Sequence, residues 1–293
     1  MPNFCNLYFS LKTFITRKDL REYLSEQGTV TIGFVPTMGA LHNGHLSLIA
    51  QANQANTISV CSIFVNPTQF NDPKDLEKYP RPIEADMAKL EQAGCDVLFN
   101  PGVNEMYDDN EQWHLDIGQL EHLLEGEFRP GHYQGVMQVV FKLLDIVKPT
   151  NLYMGQKDYQ QFMVVSKMIE LMHIPVSMVM CPIEREADGL AMSSRNVHLT
   201  AEDRQYSLIL SKTLNWVEAN FDDHNIEALQ KQAMDKLTAE NGVEPEYFRI
   251  VDGETLLPAN EDTKNIVALT AARVGKTRLI DNVIIKWVVV NGS

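Results

Sequence analysis

The sequence predicts an α/β fold, a Rossmann-like parallel sheet with helices on both faces, followed by a smaller C-terminal α+β domain. Three observations predict it. Apolar, β-branched runs alternate with amphipathic segments over the first two thirds of the chain, the pattern of right-handed βαβ units. Each run ends in a polar loop, and open parallel sheets bind ligands at the carboxyl ends of their strands. After about residue 186 the texture changes to two helical stretches and then hairpin-like strands. The expected division is a nucleotide-binding domain over 1–185 and a small lid domain over 186–293, within reach of a 293-residue chain.

The elements follow in order. A helix is expected near Lys18–Gln27, and Val30–Val35 reads as a strand. Pro36-Thr37-Met38-Gly39-Ala40-Leu41-His42-Asn43-Gly44-His45-Leu46 then turns into a helix at about 44–55. A strand, a Pro/Gly turn and a helix N-terminus present backbone N–H groups and the helix dipole to an anion. A second strand, Ile58–Val65, ends in Asn66-Pro67-Thr68-Gln69-Phe70. Tyr79-Pro80-Arg81 leads to a helix at about 82–93, and Cys95–Phe99 is a third strand. The segment Pro101–Arg129 has no legible pattern. Val136, Val139, Val140, Leu143, Leu144 and Val147 fall at helical spacing before Pro149. Leu152–Met154 is a strand, Gly155-Gln156-Lys157-Asp158 its loop, and Asp158 the expected N-cap of a helix at about 159–172. Val176–Ile183 is a fifth strand, ending in a polar loop from Glu184 to Asn196. Helices at about 201–220 and 225–241 precede strands at Tyr247–Val251, Ile266–Thr270 and Leu279–Ile285. Four strand-end loops, 36–45, 66–70, 155–161 and 184–195, are expected to converge in one cleft.

Charge excludes some partners. With 39 acidic against 25 basic residues the formal charge is -14, which disfavours nucleic acid and anionic lipid unless a basic stripe exists, and none is visible. An aminoacyl-tRNA synthetase, otherwise invited by the His pair, is thereby weakened. Cys5, Cys61, Cys95 and Cys181 form no C-x-x-C motif and read as small buried residues in a reducing compartment. The N-terminus lacks a signal-peptide pattern and no apolar run reaches membrane-spanning length. A cytoplasmic location is therefore expected.

Two phosphate motifs fail. Gly39 and Gly44 have P-loop spacing, but His45-Leu46 replaces Lys-Ser/Thr. Gly275-Lys276-Thr277 has Thr270 in place of the first glycine and lies in an apparent hairpin, and there is no G-x-G-x-x-G. His42 and His45, three apart, are open to three readings: metal ligands lacking a third partner, helix caps, or donors to a phosphate and its leaving group. Lys157, in a Gly-turn after a buried strand, is a surface lysine or a phosphate contact. Ser193-Ser194-Arg195 is a solvated turn or helix start, or a clamp for a triphosphate. Gln69 and Gln161 are surface residues or neutral groups that read hydroxyls and an amide. Glu84 and Asp86 lie two apart at a helix start, so one of them faces a metal or both serve the helix dipole; Asp86 is the expected Mg²⁺ contact.

Taken together these motifs resemble the pantoate–β-alanine ligase family, among the nucleotidylyltransferases with a HIGH signature. The matches are Pro36–His45, Phe64-Val65-Asn66-Pro67-x-Gln69-Phe70, Tyr79-Pro80-Arg81, Arg129-Pro130-Gly131-His132, Gly155-x-Lys157-Asp158-x-Gln160-Gln161, Asp188–Asn196 and Ala271–Asn282. The resemblance implies adenylation of pantoate by MgATP to pantoyl adenylate and pyrophosphate, then displacement of AMP by β-alanine. It implies an ATP site of Met38, Gly39, Ala40, Leu41, His42, Asn43, Gly44, His45, Gly155, Gln156, Lys157, Asp158, Glu184, Met192, Ser193, Ser194 and Arg195, the last four standing where related enzymes carry a KMSKS-type loop. His45 stands at the position of the proton donor, with His42, Lys157, Ser193, Ser194 and Arg195 as the other catalytic residues. Gln69, Gln161 and Asn66 would bind pantoate, Gln69 also β-alanine, and a homodimer is implied. Gln156 departs from a usual Glu, Glu184 from a usual apolar residue with a backbone contact to adenine, and the extreme N-terminus fits the family poorly. Two other functions compete: a nucleotidylyltransferase whose substrate attacks through a phosphate, against which the Asn66–Gln69 loop is neutral, and a silent nucleotide sensor, against which His42, His45, Lys157 and Arg195 are intact.

Overall fold

The computed structural model describes residues 11–109 and 111–287. These form two compact units, one of residues 11–117, 129–155 and 164–181 and one of 118–128, 156–163 and 182–287. A single cut near 185 thus differs from the division by compactness, because residues 118–128 and 156–163 group with the C-terminal part of the chain.

The first unit is built on a six-stranded parallel sheet: β1 Lys12–Phe14, β2 Ile32–Thr37, β3 Ile58–Ile63, β4 Val97–Phe99, β5 Asn151–Gly155 and β6 Ser177–Cys181, in the order β1-β4-β3-β2-β5-β6. β1 was not expected; it is short and polar at Lys12 and Thr13, and it is fixed by register with β4, Lys12 opposite Val97. The interleaved helices are α1 Arg17–Glu26, α2 Asn43–Ala55, α3 Pro73–Lys78, α4 Ile83–Gln92 and α5 Val103–Met106. After α6 Glu125–Phe128 of the second unit come α7 His132–Val147 and α8 Tyr159–Leu171, whose first turn belongs to the second unit.

Both faces of the central strands β2, β3, β4 and β5 are largely dry, as a parallel sheet requires, while the edge strands β1 and β6 are partly exposed. Val35, Cys61, Ile63 and Leu98 pack with Leu48, Ile49, Ala52 and Leu90 of α2 and α4, while the alternate residues Phe34, Val60 and Phe99 are also fully buried. The α7 helix buries most of its length and ends at Lys148, ahead of Pro149. Gln156–Asp158 forms a 3-10 turn that runs straight into α8. Asp158 is therefore inside a helical turn and not the extended N-cap that the sequence suggested.

The second unit is a three-stranded antiparallel sheet, β7 Val243–Asp252, β8 Ile266–Val274 and β9 Thr277–Lys286, packed with α9 Ala201–Ala219 and α10 Ile226–Thr238. The hairpin expected around Gly275 joins β8 to β9, Val274 opposite Thr277. The segment 118–128 is tied in by charge: Glu125 accepts two bonds from Arg278, at 2.6 and 2.8 Å, and one from the Tyr247 hydroxyl at 2.8 Å.

Candidate active site

Chain order reverses at β2: β3 and β4 lie on one side, β5 and β6 on the other. Such a switch point is where open α/β sheets take ligands. Met38–Leu41 leaves β2 there as a tight turn, closed by Thr37, whose hydroxyl donates to the Ser62 carbonyl at 2.7 Å and accepts from Gly39 N–H at 3.1 Å. Gly39 has φ 81° and Ala40 φ 50°. A residue with a Cβ in this left-handed region costs roughly 1–2 kcal/mol, so the turn must be held from outside.

The holding groups come from α4. Asp86, 1% exposed, accepts Ala40 N–H at Oδ2 (2.7 Å) and Leu41 N–H at Oδ1 (2.8 Å). Lys89 Nζ donates to the Leu41 carbonyl at 2.5 Å. A Cβ on Gly39 would lie 3.1 Å from Asp86 Oδ2 and 3.0 Å from Ile63 Cγ2, which is why glycine stands there. The Mg²⁺ contact expected of Asp86 is corrected accordingly: its carboxylate is buried and both oxygens are occupied by backbone amides. Its place in the first turn of α4 agrees with the helix-dipole alternative, and Glu84 is exposed.

His42 is the N-cap of α2, with extended backbone, and His45 lies one turn in. Their rings are brought together, centroids 4.0 Å apart. His45 Nδ1 accepts the His42 backbone N–H at 3.3 Å, so the neutral ring carries its hydrogen on Nε2, a tautomer inferred from this bond. Of the three readings of the pair, the helix cap is the one these bonds realise: His45 Nδ1 takes the N-cap amide, which leaves Nε2–H as the ring's donor position. Asn43 is exposed and Met38, Ala40 and Gly44 are half-buried along the same stretch.

The next loop follows β3. Asn66 is 1% and Gln69 8% exposed. Asn66 Nδ2 donates to Gln69 Oε1 (3.0 Å) and to the Gly135 carbonyl (3.1 Å). Asn66 Oδ1 accepts from the Tyr107 hydroxyl at 2.6 Å and from Thr68 N–H at 3.3 Å. Burial pushes the Tyr107 phenol up to about 12, so it stays a donor. Gln69 is thereby oriented with its NH₂ outward from this network, 3.4 Å from Met38 Sδ. Asn66, expected as a pantoate ligand, has its amide committed to these bonds, one of which holds the Gln69 amide. His132 Nδ1 meets the Gln69 carbonyl at 2.8 Å; a carbonyl only accepts, so Nδ1 carries hydrogen.

In the second unit, Asn282 of β9 organises the turn after Gly155. Its Nδ2 donates to the carbonyls of Gln156 and Lys157, both at 3.0 Å, and its Oδ1 accepts from Gln156 Nε2 at 3.1 Å. The Gln156 departure thus has a partner of its own. Lys157 Nζ lies 3.8 Å from Asp158 Oδ1, their side chains 20% and 51% exposed. Of the two glutamines opening α8, Gln160 is buried and spent on Glu125 N–H and the carbonyls of Leu120 and Leu123, leaving half-buried Gln161 as the candidate.

The loop 184–196 is a closed turn. Glu184 carbonyl accepts Met192 N–H at 3.0 Å, and Arg185 bridges to Ala191. Arg185 forms a bidentate pair with buried Asp281, at 2.7 and 3.0 Å. Ser193 Oγ accepts Arg195 N–H at 3.3 Å and caps the 3-10 turn Ser194–His198, the helix-start alternative among the sequence readings. Among the described residues no group of three or more His, Cys, Asp or Glu side chains suits a metal, and no helix is long and apolar enough to cross a membrane. Lys89, His132, Arg185, Asp281 and Asn282 were not singled out by sequence reasoning, although His132, Asp281 and Asn282 lie within its motifs.

A sequence model of the family described as Pantoate-beta-alanine ligase matches residues 12–284. The chain belongs to the pantoate–β-alanine ligase family. It is 44% identical over 280 residues to the pantothenate synthetase of Porphyromonas gingivalis, covering 95% of this chain and 97% of the relative. With that of Thermotoga neapolitana it shares 46% over 277 residues, 94% of this chain and 99% of the relative. The pantothenate synthetase structure from Thermus thermophilus superposes with a TM-score of 0.88 at 40% identity, covering 94% of this chain and all of that one. The family ligase from Francisella tularensis, complexed with β-γ ATP and β-alanine, gives 0.78 at 36% identity over 94% and 98% of the two chains. By its family the chain is a ligase, and the fold is the family's own.

Proposed function

We propose that this ligase joins pantoate to β-alanine with ATP, through a pantoyl adenylate. The observation that carries the reading is the β2–α2 connection, a strained turn at the sheet's switch point feeding a helix start where His45 holds its hydrogen on Nε2. The Francisella relative's complex with an ATP form and β-alanine supports the substrate assignment.

In the first step the pantoate carboxylate, already ionised at neutral pH, attacks the α-phosphorus and pyrophosphate leaves, so no strong base is needed. What is needed is in-line positioning and neutralisation of charge on the leaving group. The amides of the first α2 turn and the His45 Nε2–H do this from the β2 side. On the strength of their motifs, Lys157, Ser193, Ser194 and Arg195 supply further donors to the phosphates, with Met38–Gly44, Gly155–Asp158, Glu184 and Met192 as the remaining nucleotide contacts. Gln69, its NH₂ turned outward by Asn66, donates to pantoate oxygens together with Gln161. In the second step the free amine of β-alanine attacks the acyl carbon, AMP leaves with the phosphate oxygen, and the amine's proton is released. Gln69 also contacts β-alanine. The described residues do not supply a protein cage for Mg²⁺, an ion usually held through substrate phosphates and water; it would arrive on the triphosphate. The same reading includes a homodimer and a cytoplasmic location.

The test is exchange of labelled pyrophosphate into ATP with pantoate present and β-alanine absent. Pantoate-dependent exchange is expected. Its absence, or exchange indifferent to pantoate, removes the adenylate route.

A further inference from the structure

We infer that Asp86 and Lys89 are positioning residues for adenylation: from one face of α4 they lock the Met38–Leu41 turn, and so aim the start of α2 and the His42–His45 pair at the nucleotide. The functional consequence rests on the adenylating reading above.

The geometry is specific to Leu41 and its neighbour. Asp86 and Lys89, three apart on α4, are side-by-side on a helix surface. Together they grip Leu41 at both its N–H and its carbonyl, and Asp86 also takes Ala40 N–H. Leu41 directly precedes the N-cap His42. Fixing both ends of the Leu41 unit therefore fixes where α2 begins and which way its first amides point.

The clamp is also costly unless it has such a task. A carboxylate at 1% exposure is tolerated when its oxygens are filled by strong donors, and an apolar side chain would pack the site without that demand. The bonds go to the two residues beside and within the left-handed stretch, Ala40 at φ 50° and Leu41 just after it. Such outliers persist where the surroundings over-determine them, and they cluster at working sites. An amide in place of the carboxylate would set an N–H against a backbone N–H, so charge and shape are both required.

The experiment compares Asp86→Asn, Lys89→Met and Lys89→Arg with the parent protein. Adenylation is read by pantoate-dependent pyrophosphate exchange, and the second half by turnover of supplied pantoyl adenylate with β-alanine at saturation. Amide hydrogen exchange at Ala40 and Leu41 is read without any substrate. Asp86→Asn is expected to lower kcat/KM for exchange by ~10²-fold, the size of effect of about 1 Å of misplacement, and Lys89→Met by less. The second half-reaction is expected to hold within about threefold, because pyrophosphate has already left, and Lys89→Arg is expected to recover most of the loss. Ala40 and Leu41 amides are expected to exchange faster in Asp86→Asn, and Leu41 in Lys89→Met.

Equal losses in both half-reactions would make the pair a purely structural support and overturn the inference. Unchanged amide protection would overturn it too. If Asp86→Asn fails to fold, the Lys89 variants decide, since Lys89 is only half-buried. Absence of pantoate-dependent exchange in the parent protein would instead count against the adenylating reading, and the amide exchange would still judge the clamp.

Discussion

The turns after β2 and β3 leave neighbouring strands in the same register, Thr37 opposite Ile63, yet they are held by opposite chemistry. Met38–Leu41 is held by a carboxylate and an ammonium acting on backbone atoms. Asn66–Gln69 is held by an amide, a phenol, an imidazole and a helix carbonyl, with no carboxylate among them. The first arrangement fixes the direction of backbone N–H groups, which suits a polyanion. The second fixes the polarity of one side chain, which suits a substrate read by hydrogen bonds.

The largest effect should come from the first turn. His45→Ala removes the Nε2 donor and one capping contact. A capping loss costs about 0.5–2 kcal/mol, which leaves the protein folded, whereas loss of a leaving-group stabiliser lowers kcat by at least ~10²-fold. Lys157→Ala is expected to fall in the same range. Rapid-quench measurement of adenylate formation beside a circular-dichroism melt separates chemistry from folding. Turnover close to that of the parent in either variant would take that residue out of the chemistry.

A smaller and differently shaped effect is expected at the second turn. A Cβ on Gly135 would lie 2.4 Å from the Thr68 carbonyl oxygen, 2.6 Å from its carbon and 2.8 Å from Gln69 Cα. All three are backbone atoms, so α7 and the loop must part. Gly135→Ala should cost roughly 1–3 kcal/mol of stability and raise the KM for pantoate while leaving that for ATP unchanged. Asn66→Ala should show the same split, since Gln69 is then free to turn its amide over. A matching rise in the KM for ATP would mean that the two turns do not work separately.

The contrast also marks what the sequence made legible. The alternation of apolar runs gave the βαβ order, and the residues expected at the strand ends, Met38–His45, Asn66 and Gln69, do lie at the carboxyl ends of β2 and β3. What holds them was hidden for a physical reason: the clamp pairs residues 45 and 46 positions apart, and nothing in local spacing tells a helix-dipole carboxylate from one that grips a distant amide. Asn282 was hidden in the same way, reaching the Gln156 and Lys157 carbonyls from 126 and 125 residues away. Asn66 was offered as a ligand by the family resemblance, and burial together with its bonds to Gln69, Gly135 and Tyr107 shows its amide committed inward. β1 escaped because three residues carry no period.

The smallest expected effect tests the floor beneath both turns. Cys61 lies in β3 and Cys95 just before β4, and both thiols are buried, as is Cys181 in β6; Cys5 lies outside the described residues. Burial pushes Cys95 and Cys181 up to about 11 and Cys61 well above the ordinary thiol value. The folded thiols thus keep their protons where the unfolded ones begin to lose them. Below the unfolded value, about 8.5, both states bind the proton and stability is independent of it. As pH rises from there toward 11 the unfolded chain binds fewer protons, and stability falls. Urea midpoints measured from about pH 8 upward through this window are expected to decline, and the decline should shrink in a Cys61→Ala, Cys95→Ala protein. Thiol reagents near neutral pH should leave these three cysteines unmodified until the chain unfolds. Because the floor carries both turns, a loss of stability in this window should lower amide protection factors in the two turns alike; if Ala40 and Leu41 alone loosen, the charged clamp and not the thiols is responding.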